Sequence, residues 1–167
     1  WKAALWGAVA GTLPDLDVLI DHGDPIRNMV RHRAETHAPI WLTLFSLPLA
    51  GAVAALHREW AQWRRWWLAL WLALVTHPLL DAMTVYGTQL ALPFSDWPFG
   101  VGSVFIIDPL YTLPLLAGAG WALWSRGSTR GLWANAAGLL LSTAYLVWGV
   151  AAQAHVERVA RSSLAHR

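Results

Sequence analysis

The feature that most constrains this chain is the uncharged apolar segment at residues 38–56, APIWLTLFSLPLAGAVAAL. It approaches the roughly 20 apolar residues that an α-helix needs to cross about 30 Å of hydrocarbon. Residues 131–153, GLWANAAGLLLSTAYLVWGVAAQ, form a second uncharged segment of this kind. Its glycines, Gly131, Gly138 and Gly149, offer the small surfaces through which membrane helices approach closely. These two segments favour an all-α membrane protein.

The composition supports a membrane protein. Hydrophobic residues make up 56% of the chain and charged residues 13%, whereas a soluble domain carries about 25% charged residues. Thirteen tryptophans suit the interface between lipid and water. We therefore expect residues 1–167 to form one integral-membrane domain with membrane lipids as partners. The net charge of +2 is too small to indicate nucleic-acid binding, and the absence of cysteine excludes disulfides and thiolate metal sites.

Two further segments are long enough to span but carry titratable groups. Residues 66–92 contain His77 and Asp81, and residues 101–124 contain Asp108. The first twenty residues read as the end of a helix that stops at a proline. We therefore expect a polytopic helical bundle with about four to five transmembrane or re-entrant helices. Since residue 1 is Trp, we also expect the native N-terminus to lie upstream.

The basic loops predict an orientation. Residues 57–65 and 125–130 are short and rich in arginine, and the positive-inside rule assigns such loops to the cytoplasm. The turn at 93–100 and the segment 21–37 then lie outside. This predicts that the polar groups converge on the outer face of the membrane, which we expect to be a bacterial or archaeal cytoplasmic (inner) membrane. The tail, residues 154–167, is interpreted as a frayed end, with an amphipathic basic helix as the alternative.

Two pairs of residues have the spacing of metal ligands. His77 and Asp81 are four apart, so on a helix they lie on one face, either as metal ligands or as a buried hydrogen-bonded pair. Asp15 and Asp17, in LPDLD, follow a helix-ending proline, where they either supply oxygen ligands or perform ordinary turn chemistry. A titratable group within a spanning helix usually faces a partner or a cavity.

The remaining candidates lie in less regular sequence. His32 and His37 are five apart, about 140° around a regular helix, so they can share one ion only if a turn intervenes. Asp108 precedes a proline and either caps a helix or belongs to the site. His57, His155 and His166 are interpreted as solvated. Neutral imidazole favours zinc, and carboxylates admit manganese or magnesium, so we expect one or two divalent ions.

Three blocks of this sequence resemble the signature of a known family. They are LPDLD, HRAETHA and THPLLDAMTVYGTQLALP, and in order and spacing they are similar to those of the YdjM-like membrane-bound metal-dependent hydrolases. The resemblance covers roughly residues 5–115, although Ala38 stands where the family usually has serine and the family's early histidine would precede residue 1. The matching positions are Pro14, Asp15, Asp17, His32, Arg33, Thr36, His37, His77, Asp81, Thr84, Gly87 and Pro93.

The resemblance implies a metal-dependent hydrolase. Our leading hypothesis is that the bound metal activates water against a phosphoester or other ester, and the location of the site between helices would suit a lipid or lipid-linked substrate. The expected ligands are Asp15, Asp17, His32, His37, His77 and Asp81. Glu35 is the candidate general acid or base, and Arg31 and Arg33 are candidates to clamp a phosphate. The expected supporting residues are Thr36, Thr84, Tyr86 and Asp108. The alternative function is a metal-ion or proton-coupled transporter, because intramembrane His and Asp also form cation and proton pathways.

Overall fold

The computed structural model describes residues 1–165. His166 and Arg167 lie outside the described residues, and so does the prediction that His166 is solvated. Within the described residues the fold is helical and contains no β-strand, which confirms the all-α expectation. The chain forms two compact units, residues 1–100 and residues from Val101 onward. The α-helices are α1 Lys2–Thr12, α2 Pro25–Arg31, α3 Pro39–His57, α4 Trp63–Asp81, α5 Pro109–Trp124 and α6 Thr129–Ala165, with short 3-10 turns at Pro14–Leu19, Glu35–His37 and Trp60–Gln62.

The first unit is built on the hairpin of α3 and α4, with α1 packed against α4. Its core is apolar and consists of Ala10, Leu42, Ala50, Val53, Ala54, Trp66, Leu70 and Leu74. Indole N–H groups join the two long helices, because Trp67 donates to Ser46 Oγ at 3.0 Å and Trp71 donates to Thr43 Oγ1 at 2.9 Å. Buried polar groups thus find partners across the hairpin, as an interior requires.

The turn between α3 and α4 is tied to the start of α1. Lys2 Nζ lies 2.7 Å from Glu59 Oε1, and Trp6 Nε1 donates to His57 Nε2 at 2.8 Å. The His57 ring also stacks on Trp66. His57 is therefore half-buried and hydrogen-bonded, and the solvated position predicted for it is wrong.

Helix α4 ends at Asp81 and does not continue to residue 92. The backbone N–H and the hydroxyl of Thr84 both donate to the Asp81 carbonyl oxygen, at 3.0 and 2.7 Å, and so terminate the helix. The chain then turns through Gly87, whose φ of +85° favours glycine, and pairs briefly at Thr88 and Phe99. The structured turn between α4 and the second unit is thus longer than residues 93–100, the range the sequence predicts.

The second unit contains the hairpin of α5 and α6. Helix α5 begins at Pro109 and not at residue 101, because Asp108 caps it by accepting the Leu110 N–H at 3.0 Å. A Cβ added to Gly138 would lie 2.3 Å from the Pro114 carbonyl oxygen, and one added to Gly131 or Gly149 would also meet a neighbour within 3.0 Å. The close packing predicted for these three glycines is confirmed. The tail is helical through Ala165, so the frayed end predicted for it is wrong over those residues.

Two helices, α3 and α6, are long and apolar enough to cross a membrane. Helix α5 has 16 residues, or about 24 Å at about 1.5 Å per residue, and this is short of the hydrocarbon thickness. Helix α4 matches α3 in length, but Arg64 and Arg65 at its start and His77 and Asp81 at its end lower its mean hydropathy. The predicted count of four to five spanning helices is therefore not confirmed.

Candidate metal centre

Four side chains of the first unit converge on one point. Asp15 comes from the 3-10 turn Pro14–Leu19, His37 ends the turn Glu35–His37, and His77 and Asp81 lie on the last turn of α4. One ligand-type atom from each lies within 4.8 Å of the others. Three segments separated in sequence thus deliver two carboxylates and two imidazoles to a group that can hold a metal ion.

Five of the six separations among these four atoms are equal, and the sixth, between the two carboxylates, is within 4.8 Å. Nε2 of His37 and Nε2 of His77 each lie 3.3 Å from Asp15 Oδ1 and 3.3 Å from Asp81 Oδ2. The two Nε2 atoms are also 3.3 Å apart. Hydrogen bonds between nitrogen and oxygen are shorter, with a mode of about 2.9–3.0 Å. The 3.3 Å separations are therefore longer than those of most such hydrogen bonds, as expected for groups arranged around a common centre.

These separations fit a tetrahedral ion. Zinc–nitrogen and zinc–oxygen bonds of about 2.0–2.1 Å give edges of about 3.3–3.4 Å in a regular tetrahedron. An octahedral magnesium site with bonds of about the same length would place adjacent ligands about 2.9 Å apart. Calcium prefers six to eight oxygen ligands, and two of these four atoms are nitrogens. The donor set and its spacing are compatible with a divalent metal ion.

Asp81 provides a second observation that the group suits a metal ion. Its Oδ2 atom is buried and makes no hydrogen bond of acceptable geometry, although both imidazoles lie 3.3 Å away. A buried carboxylate oxygen without a hydrogen bond is costly, and a cation at the centre of the group would satisfy it.

The tautomer of His37 is determined by Thr36 and Asp17, which lie on the Nδ1 side of its ring. Thr36 donates its hydroxyl proton to Asp17 Oδ2 at 2.6 Å, so its oxygen is left to accept the Nδ1–H of His37 at 3.0 Å. With the proton on Nδ1, the lone pair of Nε2 points toward the other three ligand atoms. A carboxylate that orients a histidine through its second nitrogen is common at metal sites.

Asp17 and His32, both predicted as ligands, lie next to the group and not in it. Nδ1 of His32 is 2.7 Å from Asp17 Oδ1, a hydrogen-bond distance and not the separation of two ligands. Burial alone would raise the pKa of Asp17, but hydrogen bonds from Thr36, His32 and the Arg33 backbone hold the pKa of this carboxyl below its ordinary value. Asp17 thus remains charged and organises its neighbours.

Arg33 does not occupy the position of a phosphate clamp. Its guanidinium is buried, lies 3.2 Å from Asp81 Oδ1, donates to Thr84 Oγ1 at 3.2 Å and stacks 4.8 Å from the centre of the Tyr86 ring. The left-handed backbone of Arg33, with a φ of +65°, is held by the Gln89 N–H, which donates to its carbonyl oxygen. Arg33 therefore fixes Asp81 and is not free to bind substrate.

The other predicted site residues divide into two groups. Thr36 contacts the ring of His37, whereas Thr84 and Tyr86 contact Arg33, which pairs with Asp81. The orienting role of these three residues remains a prediction. Asp108 belongs to the second unit, where its carboxylate accepts hydrogen bonds from the Leu110 N–H and from the Tyr145 hydroxyl at 2.9 Å. This arrangement agrees with the capping role.

Glu35 and Arg31 are both exposed. Glu35 and Thr36 line a cleft of about 230 Å³, and its remaining lining residues are Leu13, Pro14, Trp41, Leu42, Phe45 and Leu74. The sequence analysis did not identify this cleft. The positions of Trp41 and Phe45, four apart on α3, and of Leu74, one turn before His77, are the signals that could have indicated it.

Comparison with known proteins identifies the family of this chain. The family model of the YdjM inner membrane protein matches residues 1–156. The uncharacterized protein YfhP of Bacillus subtilis (strain 168) is 30% identical over 146 residues, which are 87% of this chain and 44% of YfhP, so the chain spans less than half of that relative. No solved structure matches this chain. Because the family model covers nearly the whole chain, including all three sequence blocks, the chain belongs to the YdjM family of inner membrane proteins.

Proposed function

We propose that this protein is a membrane-embedded, metal-dependent hydrolase that cleaves a phosphoester or other ester. The observation that carries the proposal is the convergence of Asp15, His37, His77 and Asp81, in which each histidine Nε2 lies 3.3 Å from both carboxylates and from the other Nε2. The ion that best fits this spacing and donor set is a single zinc, with manganese or magnesium as alternatives. One ion is favoured over two because the Asp17–His32 pair is already hydrogen-bonded at 2.7 Å.

A bound zinc ion supplies a water of lowered pKa, about 7 in known enzymes, and polarises the oxygen of an ester. The protein's own groups do the rest. Arg33 and Thr84 hold Asp81 on one side, and Thr36 and Asp17 hold His37 on the other. Glu35, exposed at the cleft, is the candidate to accept or donate a proton, and exposed Arg31 is the remaining candidate to bind a phosphate.

The cleft supports a substrate with an aliphatic chain. Its walls are mostly apolar, and its polar residues, Glu35 and Thr36, adjoin His37 in the sequence. Trp41 and Phe45 lie on the first turns of α3 and are 44% and 47% exposed, so the cleft can open toward lipid where α3 crosses the membrane. We propose that the chain of a lipid or lipid-linked ester occupies it.

Helices α4 and α5 are proposed to lie within the membrane together with α3 and α6. Helix α4 is as long as α3 and packs along it. At one end of this hairpin lie Arg58, Arg64 and Arg65, and at the other lies the metal centre. With the basic end in the cytoplasm, the metal centre faces the outer side.

A transporter would need polar groups along the whole membrane path. Between residues 66 and 75, α4 carries no titratable side chain, and the hairpin interior there is apolar. In the first unit, the titratable groups of the metal centre all lie at one end of the α3–α4 hairpin. This distribution favours hydrolysis over transport.

The test starts with elemental analysis of the purified full chain, where we expect about one zinc per chain. Phosphoester, phospholipid and acyl-ester substrates are then offered with and without chelator. The His37→Ala variant should lose both metal and activity, and the exposed His155→Ala should keep both. Metal content unchanged by His37→Ala would refute the site. Uptake of cations into proteoliposomes, without hydrolysis of any substrate class, would refute the hydrolase.

A further inference from the structure

Of the four candidate ligands, His37 is buried, His77 and Asp81 are partly buried, and all three are held by a helix or by hydrogen-bonded neighbours. The His37 side chain is 0% exposed and is oriented by Thr36. Asp81 is 14% exposed and is paired through its other oxygen with Arg33. His77 is 18% exposed and shares the last turn of α4 with Asp81. Displacing any of these side chains would disturb a packed helix or a hydrogen-bonded chain.

Asp15 differs from the other three in each respect. Its side chain is 50% exposed and comes from a short 3-10 turn. Within residues 1–165, the described contacts of its carboxylate are with the Nε2 atoms of His37 and His77. Since both are ligand-type atoms of the same centre, nothing behind Asp15 corresponds to Arg33 or Thr36.

This asymmetry matters because four protein ligands close a tetrahedral site. Zinc sites that carry out catalysis keep one position for water or substrate, whereas closed sites with four protein ligands are structural. A hydrolase built on this centre must therefore release one ligand or add a fifth. The ligand that can leave with least disturbance is the exposed and unsupported one.

We infer that Asp15 is the exchangeable ligand of this centre. Its carboxylate oxygen withdraws with its electron pair and opens a position to which an oxygen of water or of a phosphate group donates a pair in its place. His37, His77 and Asp81 stay bound throughout. The inference rests on the proposed metal site, but it concerns ligand exchange and needs no knowledge of the substrate.

The test compares Asp15→Ala with Asp81→Ala in the full chain in detergent, with the exposed Asp96→Ala as the matched control. After loading with zinc and desalting, we expect Asp15→Ala to retain about one ion per chain, as the wild type and control do, and to release it to a chelator roughly tenfold faster. Asp81→Ala should lose the ion. Asp15→Asn, which keeps the size of the side chain, serves as a second variant should Asp15→Ala fail to fold.

Cobalt substitution gives a readout independent of activity. Inorganic phosphate should change the visible spectrum of the cobalt-loaded Asp15→Ala variant at a concentration roughly tenfold lower, or lower still, than the wild type requires. The reason is that the coordination position of Asp15 is already open in the variant. Loss of zinc from both Asp15 variants, to the extent seen for Asp81→Ala, would overturn the inference. A wild-type chain that binds zinc but cleaves no ester would contradict the proposed function and leave the assignment of Asp15 intact.

Discussion

At the scale of single residues, Arg33 shows how a site depends on a side chain that binds neither ion nor substrate. The i, i+4 spacing predicts that His77 and Asp81 share a face, and the structure shows them there. The place of Arg33 could not be predicted, because its left-handed backbone and the Gln89 N–H that holds it depend on chain segments far apart in sequence.

Replacing Arg33 should weaken metal binding without removing a ligand. In Arg33→Gln the buried Asp81 carboxylate loses its charged partner, and we expect the zinc affinity to fall about 10–100-fold, as on loss of outer-shell partners. The measurement is competition with a chelating dye. Arg31→Gln, two residues earlier and exposed, is the matched control and should leave the affinity unchanged. Equal effects of the two substitutions would show that general electrostatics, and not the contact with Asp81, sets the affinity.

At the scale of helices, the sequence predicts where apolar segments lie better than where they end. The uncharged segments at 38–56 and 131–153 correspond closely to α3 and to most of the first two-thirds of α6. Helix α4 ends early because Thr84 satisfies the Asp81 carbonyl oxygen, and a threonine three residues after an aspartate is too common to signal this. The glycines of the second segment, in contrast, correctly indicated close packing, although the sequence did not identify α5 as the helix that Gly138 contacts.

That contact gives a prediction with an internal control. A Cβ at Gly138 would lie 2.3 Å from the Pro114 carbonyl oxygen, whereas one at Gly120 would meet nothing within 4 Å. Gly138→Ala must push α5 and α6 apart, and we expect it to lower the free energy of unfolding by about 1–3 kcal/mol. Gly120→Ala should be neutral or stabilise by up to about 1 kcal/mol through helix propensity. Thermal unfolding of both variants in one detergent measures the difference, and comparable losses of stability would contradict the close packing.

At the scale of the whole molecule, an ion that binds only the folded state should stabilise it. At a free zinc concentration of about 100 times the dissociation constant, the gain is about 2.7 kcal/mol. Imidazoles bind zinc only when neutral, so binding releases protons and weakens as the pH falls. We expect zinc to raise the Tm clearly at pH 7.5 and much less at pH 5. The His37→Ala chain should show no such rise at either pH, and a rise in wild-type Tm that is equal at both pH values would argue against histidine ligation.

The proposed orientation can be tested because the chain has no cysteine. Arg31→Cys and Gln62→Cys each introduce one exposed thiol, near the metal centre and in the α3–α4 turn respectively. If the basic turn is cytoplasmic, a membrane-impermeant maleimide should label Arg31→Cys in intact cells and Gln62→Cys only after the membrane is broken. The reverse pattern would place the metal centre inside.

The pairing of Arg33 with Asp81 and of Thr36 with Asp17 has a consequence for electroneutrality. With their carboxyl groups ionised, Asp15, Asp17 and Asp81 each carry one negative charge, whereas a neutral histidine carries none. Arg33 offsets one of these three charges, which leaves an excess of two negative charges. The excess equals the charge of a single divalent ion, so one such ion leaves this region of the protein neutral. Because ligands must lose their protons before they bind a metal, uptake of the ion displaces protons. We therefore expect each ion taken up from an unbuffered solution to acidify it.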